Sequence, residues 1–79
     1  MLIKYIHAAL REAHYELMED GSVYGTVPSL QGVWATGANL ESCREELEQV
    51  LQDWLMLSLA RSLPIPPIEG IDLTIREVA

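Results

Sequence analysis

The stretch NLESCREELEQVLQDWLMLSLAR, residues 39–61, sets the architecture of the chain. Asn39 places a side-chain acceptor just ahead of an apolar repeat, the signature of a helix N-cap. Glu41 adds a negative charge in the first turn, where it meets the positive end of the helix dipole. Leu40, Cys43, Leu47, Val50, Trp54 and Leu57 then recur at alternating steps of three and four, which predicts one apolar stripe along a helix. Glu45, Glu46, Glu48, Gln49, Gln52 and Asp53 fill the opposite face. A helix of about 22 residues is about 33 Å long, the span of a small domain, so the rest of the chain must pack against it. Trp54, on this stripe, is expected to be buried where the helix meets a sheet. Leu51, Leu55, Met56, Leu59 and Leu63 lie beside the stripe and call for a second packing partner, either the N-terminal segment or another subunit.

Upstream, Leu2, Ile3, Ile6, Ala9, Leu10 and Ala13 predict a short amphipathic helix from Leu2 to about Glu12. The period then changes from 3.6 to 2. His14–Met18 and Ser22–Val27 alternate around Glu19-Asp20-Gly21, a loop suited to a type I turn closed by glycine in the left-handed region. That turn sets Leu17 opposite Val23 and Tyr15 opposite Gly25. Tyr15, Leu17, Val23 and Val27 then share one face, and Glu16, Tyr24 and Thr26 the other. Pro28-Ser29-Leu30-Gln31-Gly32 interrupts the sheet, and Val33-Trp34-Ala35-Thr36 forms a third strand stopped by Gly37. After the long helix, Pro64, Pro66 and Pro67 forbid helix, so Ile65 and Ile68 belong to an extended strap on an apolar surface. Ile71, Leu73 and Ile75 alternate with Asp72, Thr74 and Arg76 and predict a fourth strand, parallel to the first and reached by a right-handed crossover. The expected fold is α+β: an N-terminal helix over residues 1–13, then a core over 14–75 of three antiparallel strands, a long helix on one sheet face and a C-terminal strand. All 79 residues form one domain.

Composition narrows the function. A chain of 79 residues buries only about 60–65% of its unfolded surface and is marginal alone. Cys43 is the one cysteine, so neither an internal disulfide nor a cysteine metal cage is available. Its place on the apolar stripe predicts a buried, inert thiol. Oligomerisation or a partner is the remaining stabiliser, and Leu30, Trp34, Leu55, Met56, Leu59, Leu63, Ile65 and Ile68 are the candidate interface residues; a homo-oligomer, most simply a dimer, is expected. Twelve acids against five bases give a net charge of −7. Such a surface repels phosphate backbones and suits a basic protein partner, not direct nucleic-acid binding. Lys4, His7, Arg11 and Glu12 interrupt the N-terminal apolar residues, which excludes a signal peptide, and no run is long enough for a membrane span; a cytoplasmic location is expected.

Catalytic chemistry is not signalled. His7 and His14 are two turns apart and do not form an i, i+4 metal pair. The serines lack a nucleophile-elbow context, and the acids take solvated helical spacing. Glu16 with Asp72 is the one pair that a metal-dependent nuclease remnant offers. The sequence therefore predicts neither an enzyme nor a cofactor or metal requirement.

Residues 24–37, YGTVPSLQGVWATG, followed by Asn39-Leu40-Glu41-Ser42-Cys43, resemble the HicB family of small antitoxins. Pro28, Leu30, Gly32 and Gly37 match the family pattern, whereas Ser29 and Gln31 stand where an Asp and a Pro are usual. The resemblance covers about residues 14–75. It implies a reduced ribonuclease H-like fold without catalytic acids. It also implies a role in a type II toxin–antitoxin system, covering the active site of a small basic HicA-type toxin that cleaves mRNA. Many members add a C-terminal DNA-binding module, which is not expected here. The alternative is a solitary structural or regulatory homo-oligomer without a toxin.

Overall fold

The computed structural model describes residues 2–71. Helix α1 (Leu2–Glu12) leads into strands β1 (His14–Leu17), β2 (Val23–Thr26) and β3 (Trp34–Gly37), and helix α2 (Leu40–Ala60) follows. The strands form one antiparallel sheet in the order β1-β2-β3. This is the expected α+β arrangement of an N-terminal helix, a meander and a long helix. Of the expected fourth strand, Leu73 and Ile75 lie outside the described residues.

Turn chemistry sets the first hairpin. Leu17 stands opposite Val23 and Tyr15 opposite Gly25, as the loop predicted. Met18 N–H donates to Ser22 O at 2.8 Å and Gly21 N–H to Met18 O at 3.0 Å. Gly21 closes the turn at φ +89, where a side chain would be strained. Asp20 Oδ1 accepts from both Ser22 N–H and Ser22 Oγ–H, which holds its carboxyl below the usual range. β3 starts one residue later than expected. Val33 is used by the loop: its N–H donates to Leu30 O, and its carbonyl accepts from Val27 N–H. Val27, Leu30 and Val33 all point into the core, each 2% exposed.

Asn39 caps α2 as expected, accepting from Ser42 N–H at 2.8 Å. Just before it, β3 runs against the helix start. A Cβ on Gly37 would sit 2.4 Å from Cys43 N and 2.7 Å from Cys43 Cα, so only glycine permits this approach. The contact sets the rotation of α2 and corrects the expected stripe. Cys43, Leu47, Leu51, Leu55 and Ser58 are the buried positions, at steps of four, four, four and three. Leu40 and Leu57 are exposed, and Val50 and Trp54 are half-buried at the edge of the core. Trp54 therefore flanks the seam and does not lie in it.

α2 ends in a Schellman motif. Leu63 N–H donates to Ser58 O and Ser62 N–H to Leu59 O, with Ser62 in the left-handed region at φ 52. The proline strap then crosses back to α1. Ile65 and Ile68 are buried in the core, as a strap on an apolar surface requires. Tyr5 Oη–H donates to the Pro66 carbonyl, and Arg11 pairs with Glu69 at 3.1 Å. Ile68 and Ile71 exchange backbone hydrogen bonds around Glu69 (φ 48) and Gly70 (φ 78), a tight reversal.

α1 is buried along Tyr5, Ile6, Ala8, Ala9 and Leu10, whereas Ile3, expected on its apolar stripe, is 69% exposed. The second packing partner of α2 is intrachain: Leu51 and Leu55 share one core with α1, the 27–33 loop and the strap. α2 lies over β3 and β2. Leu17, on the core-facing side of β1, falls outside its cover and is 79% exposed.

Two measurements check this packing. Leu51→Ala should cost about 2–5 kcal/mol, as a truncation in a filled core does, whereas Leu57→Ala should stay within about 0.5 kcal/mol in urea unfolding. Equal losses would show that the helix is rotated from the seam described. Burial, with a smaller contribution from Glu12, pushes the Tyr5 hydroxyl up to about 12. The fold favours the neutral phenol, so its contribution is complete below pH 10, the ordinary tyrosine value, and is lost as pH rises through about 12. Tyr5→Phe should flatten the fall in stability across that window, measured by unfolding at stepped pH.

Candidate interaction surface

Reactive side chains are either closed off or scattered. Cys43 is fully buried; its thiol donates to Ala35 O at 3.6 Å, and burial raises its pKa, the environment of an inert structural cysteine. Tyr15, beside Cys43 and Arg44, is raised chiefly by burial. His7 and His14 are exposed, and Glu16 stands on the open side of β1. Asp72 lies outside the described residues. Among the described residues, no group of three His, Cys, Asp or Glu side chains is placed to hold a metal ion.

The eight candidate interface residues divide sharply. Leu30, Leu55, Ile65 and Ile68 are 6% exposed or less and belong to the core of this same chain. They are not free surface in this chain: Leu55 lies on the flank of α2, and Leu30 from the 27–33 loop and Ile65 and Ile68 from the strap pack into the same core. Leu59 is half-buried against that core. Trp34, Met56 and Leu63 remain open, at 53%, 62% and 48%. Sequence reading missed Tyr5, which sits between the expected apolar positions. Its spacing to Ala8 and Ala9, three and four residues on, is the signal that marked its face.

Two open surfaces surround β3 among the described residues. One is the outer face of the sheet, where His14, Thr26 and Trp34 form one cross-strand row and Glu16, Tyr24 and Thr36 the next. Tyr24 and Trp34 pack there with ring centroids 5.9 Å apart at 34°. The other is a cleft of about 460 Å³ between the free edge of β3 and α2, lined by Gly32, Trp34, Ala35, Thr36, Glu46 and Val50. Its helical wall carries Glu46 beside Val50. α2 holds five acids, Glu41, Glu45, Glu46, Glu48 and Asp53, against the single base Arg44. Arg11–Glu69 is the one ion pair among the described residues, so these carboxylates have no cationic partner there.

The described residues of these two surfaces supply an aromatic pair, a strand edge with no described partner and acids with no described cation.

Comparison with known proteins agrees with the fold. None of the curated proteins matches the chain. The crystal structure of TTHA0281 from Thermus thermophilus is similar over 96% of this chain and 95% of its own, with 38% identity and a TM-score of 0.89. No helix among the described residues is long and apolar enough to cross a membrane. The UPF0150-like family model matches residues 4–66, and the chain belongs to that family.

Proposed function

We propose that this chain is a non-enzymatic, antitoxin-like binding protein of the cytoplasm that neutralises a small basic RNA-cleaving toxin by direct contact. The observation that carries the reading is the set of α2 acids without a cationic partner among the described residues, Glu46 standing in one cleft with the exposed Trp34. An RNA-cleaving toxin needs a positive surface to hold phosphate, and an acidic protein with an aromatic anchor fits over such a surface. The resemblance of residues 14–75 to the HicB family and the membership in the UPF0150-like family support it. Charge accelerates encounter, and the apolar anchor slows release.

The test is the association rate with a basic toxin encoded beside the gene, at low and high salt. Wild type should associate about tenfold more slowly at high salt. Changing Glu45, Glu46 and Glu48 to Gln should remove most of that dependence. A rate indifferent to both would refute the electrostatic account, and a toxin that keeps its ribonuclease activity in the mixture would refute neutralisation.

A second reading, self-association as a homo-oligomer with or without a toxin, rests on the exposed Ile3, Met56, Leu57 and Leu63. Sedimentation should then show a dimer that Met56→Glu with Leu63→Glu dissociates; a monomer at high micromolar concentration removes this reading.

A further inference from the structure

The free edge of β3 has a defined hydrogen-bonding pattern. Val27 N–H donates to Val33 O one step beyond the β2–β3 register, which sets the phase of its alternation. Antiparallel pairing alternates, so in the register Gly25↔Ala35 and Val23↔Gly37 the residues also bond each other, while Thr26↔Trp34 and Tyr24↔Thr36 do not. The first hairpin agrees independently. Met18 N–H donates to Ser22 O, so the bonded pairs there include Glu16↔Tyr24 and His14↔Thr26, and Tyr24 and Thr26 turn their backbone groups toward β1. The N–H and C=O groups of Trp34 and Thr36 therefore point away from β2, toward the open edge. β3 is the last strand in the sheet, and no described residue pairs with that edge. Tyr5 and Arg11 hold the strap against α1 as far as Glu69.

The cleft of about 460 Å³ lies along this edge. A strand laid there would alternate its side chains between two environments. One set would enter the cleft, over Ala35 and Val50 and beside the Glu46 carboxylate. The other would lie on the outer face, against Trp34 and Thr36.

We infer that the β3 edge takes up an extended basic segment of a protein partner as an added strand, paired to Trp34 and Thr36, with a lysine or arginine reaching Glu46 and an apolar side chain resting on Trp34. The inference rests on the proposed binding function and places the partner on it. Charge complementarity selects the occupant. A second copy would bring its own Glu46 and its own net charge of −7 to the same cleft, whereas a basic strand supplies a cation that no described residue gives Glu46. Strand addition gives affinity through the backbone and selects sequence through the alternate side chains.

The probe is the blocked peptide KVKVKVK, with EVEVEVE and a KVKVKVK peptide N-methylated at alternate residues as controls, titrated into ¹⁵N-labelled protein. KVKVKVK should shift the amides of residues 32–37 and 46–50 and slow hydrogen exchange at Trp34 and Thr36. EVEVEVE should not bind, and N-methylation should weaken binding at least tenfold. Thr36→Pro removes one outward N–H and no β2–β3 hydrogen bond, so it should keep the fold and abolish binding. Trp34→Ala should weaken binding about tenfold and Glu46→Gln about threefold, both with the melting temperature nearly unchanged. If Thr36→Pro does not fold, the N-methylated peptide still decides the issue. Shifts confined to other surfaces, binding insensitive to N-methylation, or concentration-dependent protection of Trp34 and Thr36 in the free protein would overturn the inference. The last outcome would mean that a second copy fills the edge. A basic toxin whose binding ignores Thr36→Pro sinks this inference but leaves the proposed function standing. Peptide binding without any neutralised toxin does the reverse.

Discussion

The close approach of β3 to the first turn of α2 governs the rest of the molecule. Gly37 lets the strand pass against the Cys43 backbone, at a separation that any side chain would block. The contact fixes the rotation of a 21-residue helix from its first turn. Once Cys43 faces inward, Leu47, Leu51 and Leu55 follow at one-turn intervals, all 1% exposed or less. The acids then have no choice but to face water or the β3 cleft. The charge distribution is thus a consequence of packing at the helix start, and the interaction surface inherits it.

A chain this short must find cohesion without a disulfide. It does so by folding both ends of its described structure onto the flank of α2. α1 contributes Tyr5, Ile6, Ala8, Ala9 and Leu10; the proline strap contributes Ile65 and Ile68. Prolines suit the strap because an extended backbone with few N–H groups leaves few donors to satisfy as it crosses an apolar surface. The Tyr5–Pro66 hydrogen bond satisfies a hydroxyl that would otherwise be buried without a partner. The exposed Arg11–Glu69 pair adds little energy and marks where the strap ends. This clasp uses up most of the apolar surface that a small chain would otherwise offer to a partner. What it leaves includes Trp34 on the outer face of the sheet, and Met56, Leu57 and Leu63 near the end of α2.

Local rules are legible in the sequence because they act over a few residues. The Asn39 cap, the Gly21 turn, the register of β1 on β2 and the break after Arg61 all depend on neighbours within one turn of chain. Glycine and proline, or a capping side chain, leave little alternative. Alternation likewise identified which residues share a sheet face. The acidic character of α2 followed from composition, and the inert burial of Cys43 from its apolar setting.

Tertiary structure decided what two competing local patterns left open. α2 has apolar residues at 50, 54 and 57 and also at 51, 55 and 59, two stripes about 100° apart that satisfy helical spacing equally well. Only contact with β3 at one end, and with α1 and the strap further along, selects Leu51 and Leu55 for the core and moves Trp54 to its margin. The same reason explains Tyr5, which is inward because Pro66 arrives beside it from 61 residues away. It explains Leu17, which has the core-facing side of the sheet but no helix above it. It also turned four of the eight expected interface residues into core. Sequence by itself determined the elements, their order and the sign of the surface charge. Which apolar residues are spent on cohesion, and which remain for recognition, depends on long-range packing that no local pattern encodes.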